Sequence, residues 1–152
     1  MVKRVFVDVA IGLGLAIAGQ FVQLTASIVG PLLGLPFAYE SAPEDGSVPE
    51  ALLTQIDWMF WLASIGMLLL SFLIGLILRI ASVREGATRG AAWVAVVALS
   101  QFLLGLGNGV VPVFGLLGVW VYFVAVVLGP VLAGLIGARR RHAVDARRGA
   151  DS

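Results

Sequence analysis

One uncharged stretch, Trp58 to Leu78, constrains the fold most strongly, because twenty-one residues without a charge separate Asp57 from Arg79. As an α-helix with a rise of 1.5 Å per residue it would be roughly 32 Å long, close to the ~30 Å hydrocarbon thickness of a bilayer. Acidic residues precede the stretch and arginines follow it. Since basic residues favour the cytoplasmic side, the stretch predicts a transmembrane helix whose carboxyl end faces the cytoplasm.

The composition predicts that this helix is part of a larger membrane bundle. Of the 152 residues, 60% are hydrophobic and 12% are charged, and the mean hydropathy is +1.02. Soluble domains average about 25% charged residues. The chain has no cysteine, which excludes disulfides, thiol nucleophiles and cysteine-bound metals. We therefore expect an all-α integral membrane protein.

The apolar runs divide into four predicted spans. The first lies in the run from Val5 to Phe37, in which Asp8 is the only charge, and Gly30-Pro31 is expected to end it. The run from Gly90 to Ile136 is long enough for two spans with a turn at 105–112. The prediction is a four-helix bundle over residues 1–137 with spans at about 9–29, 58–78, 91–110 and 113–136, followed by a basic cytoplasmic tail at 138–152.

A cleavable signal peptide is the competing interpretation of the first run. Lys3-Arg4, an apolar core and the Ala16-Ile17-Ala18 sequence imitate its three parts. Asp8 would interrupt the apolar core, however, and the apolar run continues well beyond the site of cleavage. The residues favour a retained first span.

The charges predict the orientation of all four spans. With four spans, all ten Lys and Arg residues fall on one side of the membrane. The positive-inside tendency then places both termini in the cytoplasm and the loop 39–55 outside, in a multi-pass protein of the cell membrane. So strict an asymmetry argues against a dual-topology protein.

Sliding the chain against itself by 81 residues suggests an internal repeat. Gln20-Phe21 then aligns with Gln101-Phe102, and Val29, Pro31 and Gly34 align with Val110, Pro112 and Gly115. Two tandem helical hairpins, related by an approximate two-fold axis along the membrane normal, would leave this pattern. Apolar composition also raises the number of chance matches, so the repeat is a hypothesis.

Four polar residues within the spans form a candidate intramembrane cluster on the first and third helices: Gln20, Gln23, Gln101 and Asn108. Amides in hydrocarbon need hydrogen-bond partners, so bonds between the two helices are the simplest interpretation. The functional alternative is a polar path for a small solute or an ion.

The two acidic residues next to the spans also allow both a structural and a functional interpretation. Asp8 can cap the first helix and meet Arg4, and Asp57 can begin the second helix. Intramembrane carboxylates also mark proton or cation paths, but a position at the membrane boundary favours capping.

Small residues recur at spacings that suit close helix packing, namely Gly12, Ala16, Gly19, Gly129, Ala133 and Gly137. Packing within the bundle explains most of them. Since four helices leave a large perimeter, one stripe is also available for self-association or for a protein partner.

The basic tail predicts contact with anionic lipids through Arg139, Arg140 and Arg141. No aromatic residues interleave with these arginines, so a nucleic-acid partner is not expected.

Catalytic, cofactor and metal motifs are missing from the sequence. Gly105-x-Gly107-x-Gly109 has neither the preceding strand nor the following lysine of a phosphate loop. We therefore expect a protein without enzyme activity or cofactor, acting as an accessory or assembly subunit or as a homo-oligomer. The alternatives are a small transporter or channel with its path along helices one and three, and an enzyme acting on lipids that would depend on Asp8 or Asp57.

Overall fold

The computed structural model describes residues 2–35, 50–107 and 115–150, where all regular secondary structure is helical. Three of its helices contain segments long and apolar enough to cross a membrane, Lys3–Leu32, Glu50–Ile77 and Leu117–Arg141. This confirms the helical prediction and agrees in length and composition with a membrane-embedded chain. The four helices are α1 (Val2–Leu32), α2 (Glu50–Ile77), α3 (Val83–Gly107) and α4 (Leu117–Ala150).

The helices extend beyond the predicted spans. α2 begins at Glu50, so residues 50–55 of the predicted outer loop are helical, and Asp57 lies two turns inside the helix instead of at its start. An acidic residue in the first turn favours this early start, because it complements the helix dipole. α4 continues through the predicted tail to Ala150, since alanine and arginine are strong helix formers. Asn108 and most of the predicted 105–112 turn lie outside the described residues.

The turn between α2 and α3 is held by backbone hydrogen bonds. The N–H of Ile80 donates to the carbonyl of Gly75 (3.1 Å), and the N–H of Arg79 donates to the carbonyl of Leu76 (3.0 Å). This is the Schellman arrangement, whose left-handed residue is usually glycine but here is Arg79, with φ of 53°.

A capping box begins α3 directly after this turn. The N–H of Glu85 donates to Oγ of Ser82, and Oε2 of Glu85 accepts the N–H of Ala81, both at 3.2 Å. These bonds satisfy backbone donors that a helix start leaves free. They also fix the side chain of Glu85 at the start of α3.

The helices form a four-cornered bundle in which α1 contacts α2 and α3, and α4 contacts the same two helices. α1 and α3 run parallel, because Asp8 meets Trp93 and, one turn further on, Gly12 packs against Val96. A two-fold axis along the membrane normal would put α1 and α3 at opposite corners. Adjacent corners mean that the two hairpins lie side by side, so the predicted two-fold relation is wrong.

The bundle interior is filled by large side chains from all four helices. Phe60 and Tyr122 meet edge to face, with ring centroids 5.4 Å apart. The outer surface is also apolar, with Phe6 75%, Leu32 81% and Ile77 78% exposed, as expected for helices surrounded by lipid. The fully buried side chains include Leu15, Met67, Trp93, Val97, Val119, Tyr122 and Val126.

On α1, the predicted small residues lie against other helices. A Cβ atom on Gly12 would come within 2.7 Å of Cβ of Val96, and one on Gly19 would overlap the hydroxyl of Tyr122. Ala16 is buried in the core between them.

On α4, the predicted small residues allow close approach to α2 and to the turn after it. A Cβ atom on Gly129 would overlap Oγ of Ser71, and one on Gly137 would overlap the carbonyl oxygen of Ile80. Ala133 packs against Gly75, where a Cβ atom would lie 2.8 Å from that of Ala133. The structure uses all six predicted small residues within the bundle.

Candidate functional site

The polar residues predicted to cluster within the membrane have different surroundings. The side chain of Gln20 is exposed on the surface of α1, whereas those of Gln23 and Gln101 are partly buried. The amide nitrogens of Gln23 and Gln101 and the hydroxyl of Tyr122 are buried and have no hydrogen-bond partner among the described residues. Because a buried polar atom without a partner is costly, these three groups are suited to bind water or a polar guest.

A charged cluster joins the amino-terminal ends of α1 and α3. Nη1 of Arg89 lies 3.2 Å from Oδ1 of Asp8, and the indole nitrogen of Trp93 donates to the same oxygen at 3.1 Å. The side chains of Arg89 and Asp8 are only 13% and 16% exposed. Asp8 therefore pairs with a residue of α3. The sequence had suggested the nearby Arg4 as its partner, and that prediction is wrong.

Glu85 completes this charged cluster. Its Oε1 lies 3.3 Å from Nη2 of Arg89 and 3.6 Å from Nη2 of Arg4. The capping box positions Glu85, and the i, i+4 spacing brings Arg89 to it. Two carboxylates thus face two guanidinium groups, so the formal charges of these four side chains cancel.

The sequence contained a signal for the contact between Asp8 and Arg89. At the 81-residue offset that aligns the two hairpins, these two residues are equivalent. Opposite charges at equivalent depths of two neighbouring parallel helices favour an ion pair. Sequence reasoning considered only the local partner, Arg4, and missed this contact.

A second acidic residue connects helices at the other end of the bundle. Oδ1 of Asp57 accepts a hydrogen bond from the backbone N–H of Gly118 at 2.7 Å. Gly118 is in the first turn of α4, where N–H groups lack partners within the helix. Asp57, on α2, therefore caps the start of α4. Both acidic residues that the sequence analysis singled out hold helices together.

Among the described residues no three His, Asp or Glu side chains come together in a way that could hold a metal ion. The Asp8 cluster lies beside a cleft of about 410 Å³, but its carboxylates are already engaged by guanidinium groups.

Comparison of the chain with protein-family models, curated proteins and solved structures found no match.

Proposed function

We propose that all four helices cross the membrane, with both termini and the α2–α3 turn in the cytoplasm. α3 has 25 residues, and its uncharged part, 90–107, gives roughly 27 Å of helix, close to the ~30 Å hydrocarbon thickness of a bilayer. Its charged residues are confined to the first two turns, beside the amino-terminal end of α1. The distribution of Lys and Arg over the sequence supports this orientation.

Single cysteines test the orientation, because the chain has none of its own. Ser47→Cys should react with a membrane-impermeant maleimide in intact cells. Ser152→Cys and Ser82→Cys should react only after the membrane is opened. Labelling of Ser152→Cys in intact cells would overturn the proposed orientation.

We propose that the protein acts by associating with other membrane helices, as a homo-oligomer or as a non-catalytic subunit of a larger complex. The observation that carries this proposal is Gly14, which is exposed on α1. Apart from its own stretch of helix, no atom of the described residues lies within 4 Å of the position that its Cβ would take. A glycine inside a helix costs roughly 0.5–1 kcal/mol relative to alanine. Gly14 therefore packs against no other helix in the described part of the bundle, whereas small residues facing lipid allow another helix to approach closely.

The exposed face of α3 carries a similar stripe. Ala87, Ala91 and Ala95 are spaced by four residues and are all exposed. These residues differ from the small residues predicted for association, such as Gly12 and Gly129, which pack inside the bundle. The proposed interface therefore involves the outer faces of α1 and α3.

The mass of the complex after gentle extraction of a tagged copy tests this proposal. We expect either a small multiple of 16.0 kDa or other chains in a fixed ratio. Gly14→Leu and Ala91→Leu should reduce the association while leaving the helical content unchanged, because both positions are open. Val124→Leu, which adds bulk to an exposed site on α4, is the matched control. A monomer in native-like lipid, with no partner, would contradict the proposal.

A small transporter or channel is the second candidate. It is favoured by the buried amide nitrogens of Gln23 and Gln101 and the buried hydroxyl of Tyr122, for which the described part of the chain supplies no hydrogen-bond partner. A path past these groups predicts flux of a small polar solute or ion through reconstituted vesicles. That flux should be lost in the Gln23→Leu and Gln101→Leu double variant and kept in Gln20→Leu, whose side chain faces outward. Unchanged flux in the double variant would exclude this path.

A further inference from the structure

A basic cleft lies between the carboxyl end of α2 and the facing side of α4. We use "basic cleft" for the cavity of about 420 Å³ whose wall includes Arg79 from the turn after α2 and Arg140 and Arg141 from α4. This volume is within the range of about 300–1,000 Å³ that is common for ligand sites. The three arginines come from two segments, the turn after α2 and the carboxyl-terminal part of α4, which are brought to one cavity only in the folded chain.

Among the side chains that the structure describes, which on α4 are those up to residue 141 and residue 143, none of the ion pairs involves these three arginines. The ion pairs in that part of the chain join Arg4 and Arg89 to Asp8 and Glu85. Three guanidinium groups around one cavity repel each other, so an anion would be attracted there. Guanidinium groups bind phosphate oxygens particularly well, because their paired N–H donors match two oxygens at once.

The backbone around the basic cleft is held in an uncommon shape. Arg79 occupies the left-handed position of the Schellman turn, with φ of 53°, where glycine is usual. The turn is fixed by its two backbone hydrogen bonds and by close packing of Gly137 against Ile80. The fold therefore holds an arginine, in place of the favoured glycine, at the mouth of the cavity.

The rest of the wall is apolar and borders the membrane. Leu76 and Ile136 are partly exposed and belong to the two membrane-spanning segments that end here. Gly75 and Ala133 keep the floor of the cleft small. A ligand that fits has an anionic head and an apolar body.

We propose that the basic cleft binds the phosphate group of an anionic phospholipid, with Arg79, Arg140 and Arg141 around the phosphate and the acyl chains along the apolar wall. The site requires only that α2 and α4 cross the membrane, so it is independent of the proposed association. The site also distinguishes between the arginines of the predicted lipid-binding tail. Arg140 and Arg141 line the cleft, whereas Arg139 is exposed but does not line it.

Native mass spectrometry of the detergent-solubilised protein, titrated with phosphatidylglycerol, tests the site. Arg140→Gln, Arg141→Gln and Arg79→Gly should each weaken the first bound lipid roughly fivefold, the effect of about one basic residue near an anionic surface. Arg79→Gly keeps the turn, because glycine suits the left-handed position. Arg139→Gln removes the same charge one residue outside the cleft and should change binding less than twofold.

Two further arms separate the possible sources of the phosphate. Phosphatidylcholine, titrated in the same way, should bind more weakly than phosphatidylglycerol, and free glycerol phosphate should not displace the bound lipid. Equal weakening by Arg139→Gln and Arg140→Gln would overturn the proposal in favour of a diffuse basic surface. Displacement by glycerol phosphate would overturn the assignment to a lipid.

Discussion

Two groups of arginines lie at the same end of the bundle and have opposite surroundings. Between α1 and α3, Arg89 is largely buried and contacts Asp8 and Glu85. Between α2 and α4, Arg79, Arg140 and Arg141 of the basic cleft are exposed, and the ion pairs of the described side chains do not include them. The first group joins α1 to α3, whereas the positive charge of the second group is not engaged by these ion pairs.

If the basic cleft binds lipid as proposed, this difference assigns folding stability to the first group and binding to the second. A buried ion pair holds its helices because removal of one partner leaves a charge in a medium that solvates it poorly. Exposed arginines contribute little to folding, since water already solvates them. Variants of the two groups should therefore change different measured quantities.

The largest effect is expected for Asp8→Ala, which leaves Arg89 and Trp93 without their shared acceptor. The free energy of unfolding should fall by about 3 kcal/mol, the lower limit for broken buried pairs, because Arg89 keeps Glu85 as a partner. Denaturant unfolding in micelles measures it. Adding Arg89→Met should recover part of the loss, because it removes the guanidinium group that Asp8 no longer neutralises, while Glu85 keeps Arg4 as a partner. A loss below about 1 kcal/mol would mean that this pair behaves like an exposed one.

Gly137→Ala should have the next largest effect, because its Cβ atom would overlap the carbonyl oxygen of Ile80 and lie 3.2 Å from Cα of Ala81. Overpacking against backbone typically costs about 1–3 kcal/mol. Gly14→Ala is the control in open space, and it should raise the free energy of unfolding by about 0.5–1 kcal/mol. Equal effects at both sites would show that α4 is not seated on the α2–α3 turn as described.

Arg79→Gly should stabilise the protein by about 0.5–1 kcal/mol in the absence of lipid, because glycine adopts the left-handed conformation without strain. Arg79→Ala removes the same charge but keeps the strain, so it should give no such gain. Thermal unfolding in a neutral detergent compares the two. A destabilised Arg79→Gly protein would indicate that the guanidinium group contributes to folding, contrary to the proposed division.

The smallest effect is expected for Arg4→Ala. The Arg4 side chain is 76% exposed and lies 3.6 Å from Oε1 of Glu85. Exposed pairs of this kind contribute between about 0 and 1 kcal/mol, so we expect a loss near the lower limit, measured by the same unfolding assay. A loss as large as that of Asp8→Ala would show that Arg4, in the first turn of α1, belongs to the buried charged group.

The membrane-embedded helices could be predicted from the sequence, because the length of an uncharged run directly reflects the thickness of a bilayer. Trp58 to Leu78 coincides closely with the apolar part of α2. The true helix ends were less accessible, since a helix continues past the lipid wherever caps and helix formers permit. The sequence therefore predicted neither the start at Glu50 nor the helical segment up to Ala150.

Contacts between helices were harder to predict, because spacing shows which residues share a face but not what that face meets. Gly12 and Gly14 both suit close packing, yet only Gly12 packs within the bundle. Arg139 and Arg140 are neighbours in one basic run, yet only Arg140 lines the basic cleft. The rotation of each helix about its axis decides these cases.

The most direct test of the separation between the two arginine groups is thermal unfolding of two variants with and without phosphatidylglycerol. Asp8→Asn should lower the melting temperature without lipid but keep the increase that the lipid produces. Arg140→Gln should leave the lipid-free melting temperature within about 2 °C of the unmodified protein, as expected for an exposed charge, and lose most of the lipid-induced increase. If both variants lose stability and the lipid response together, the two groups form one unit and the proposed separation between them is wrong.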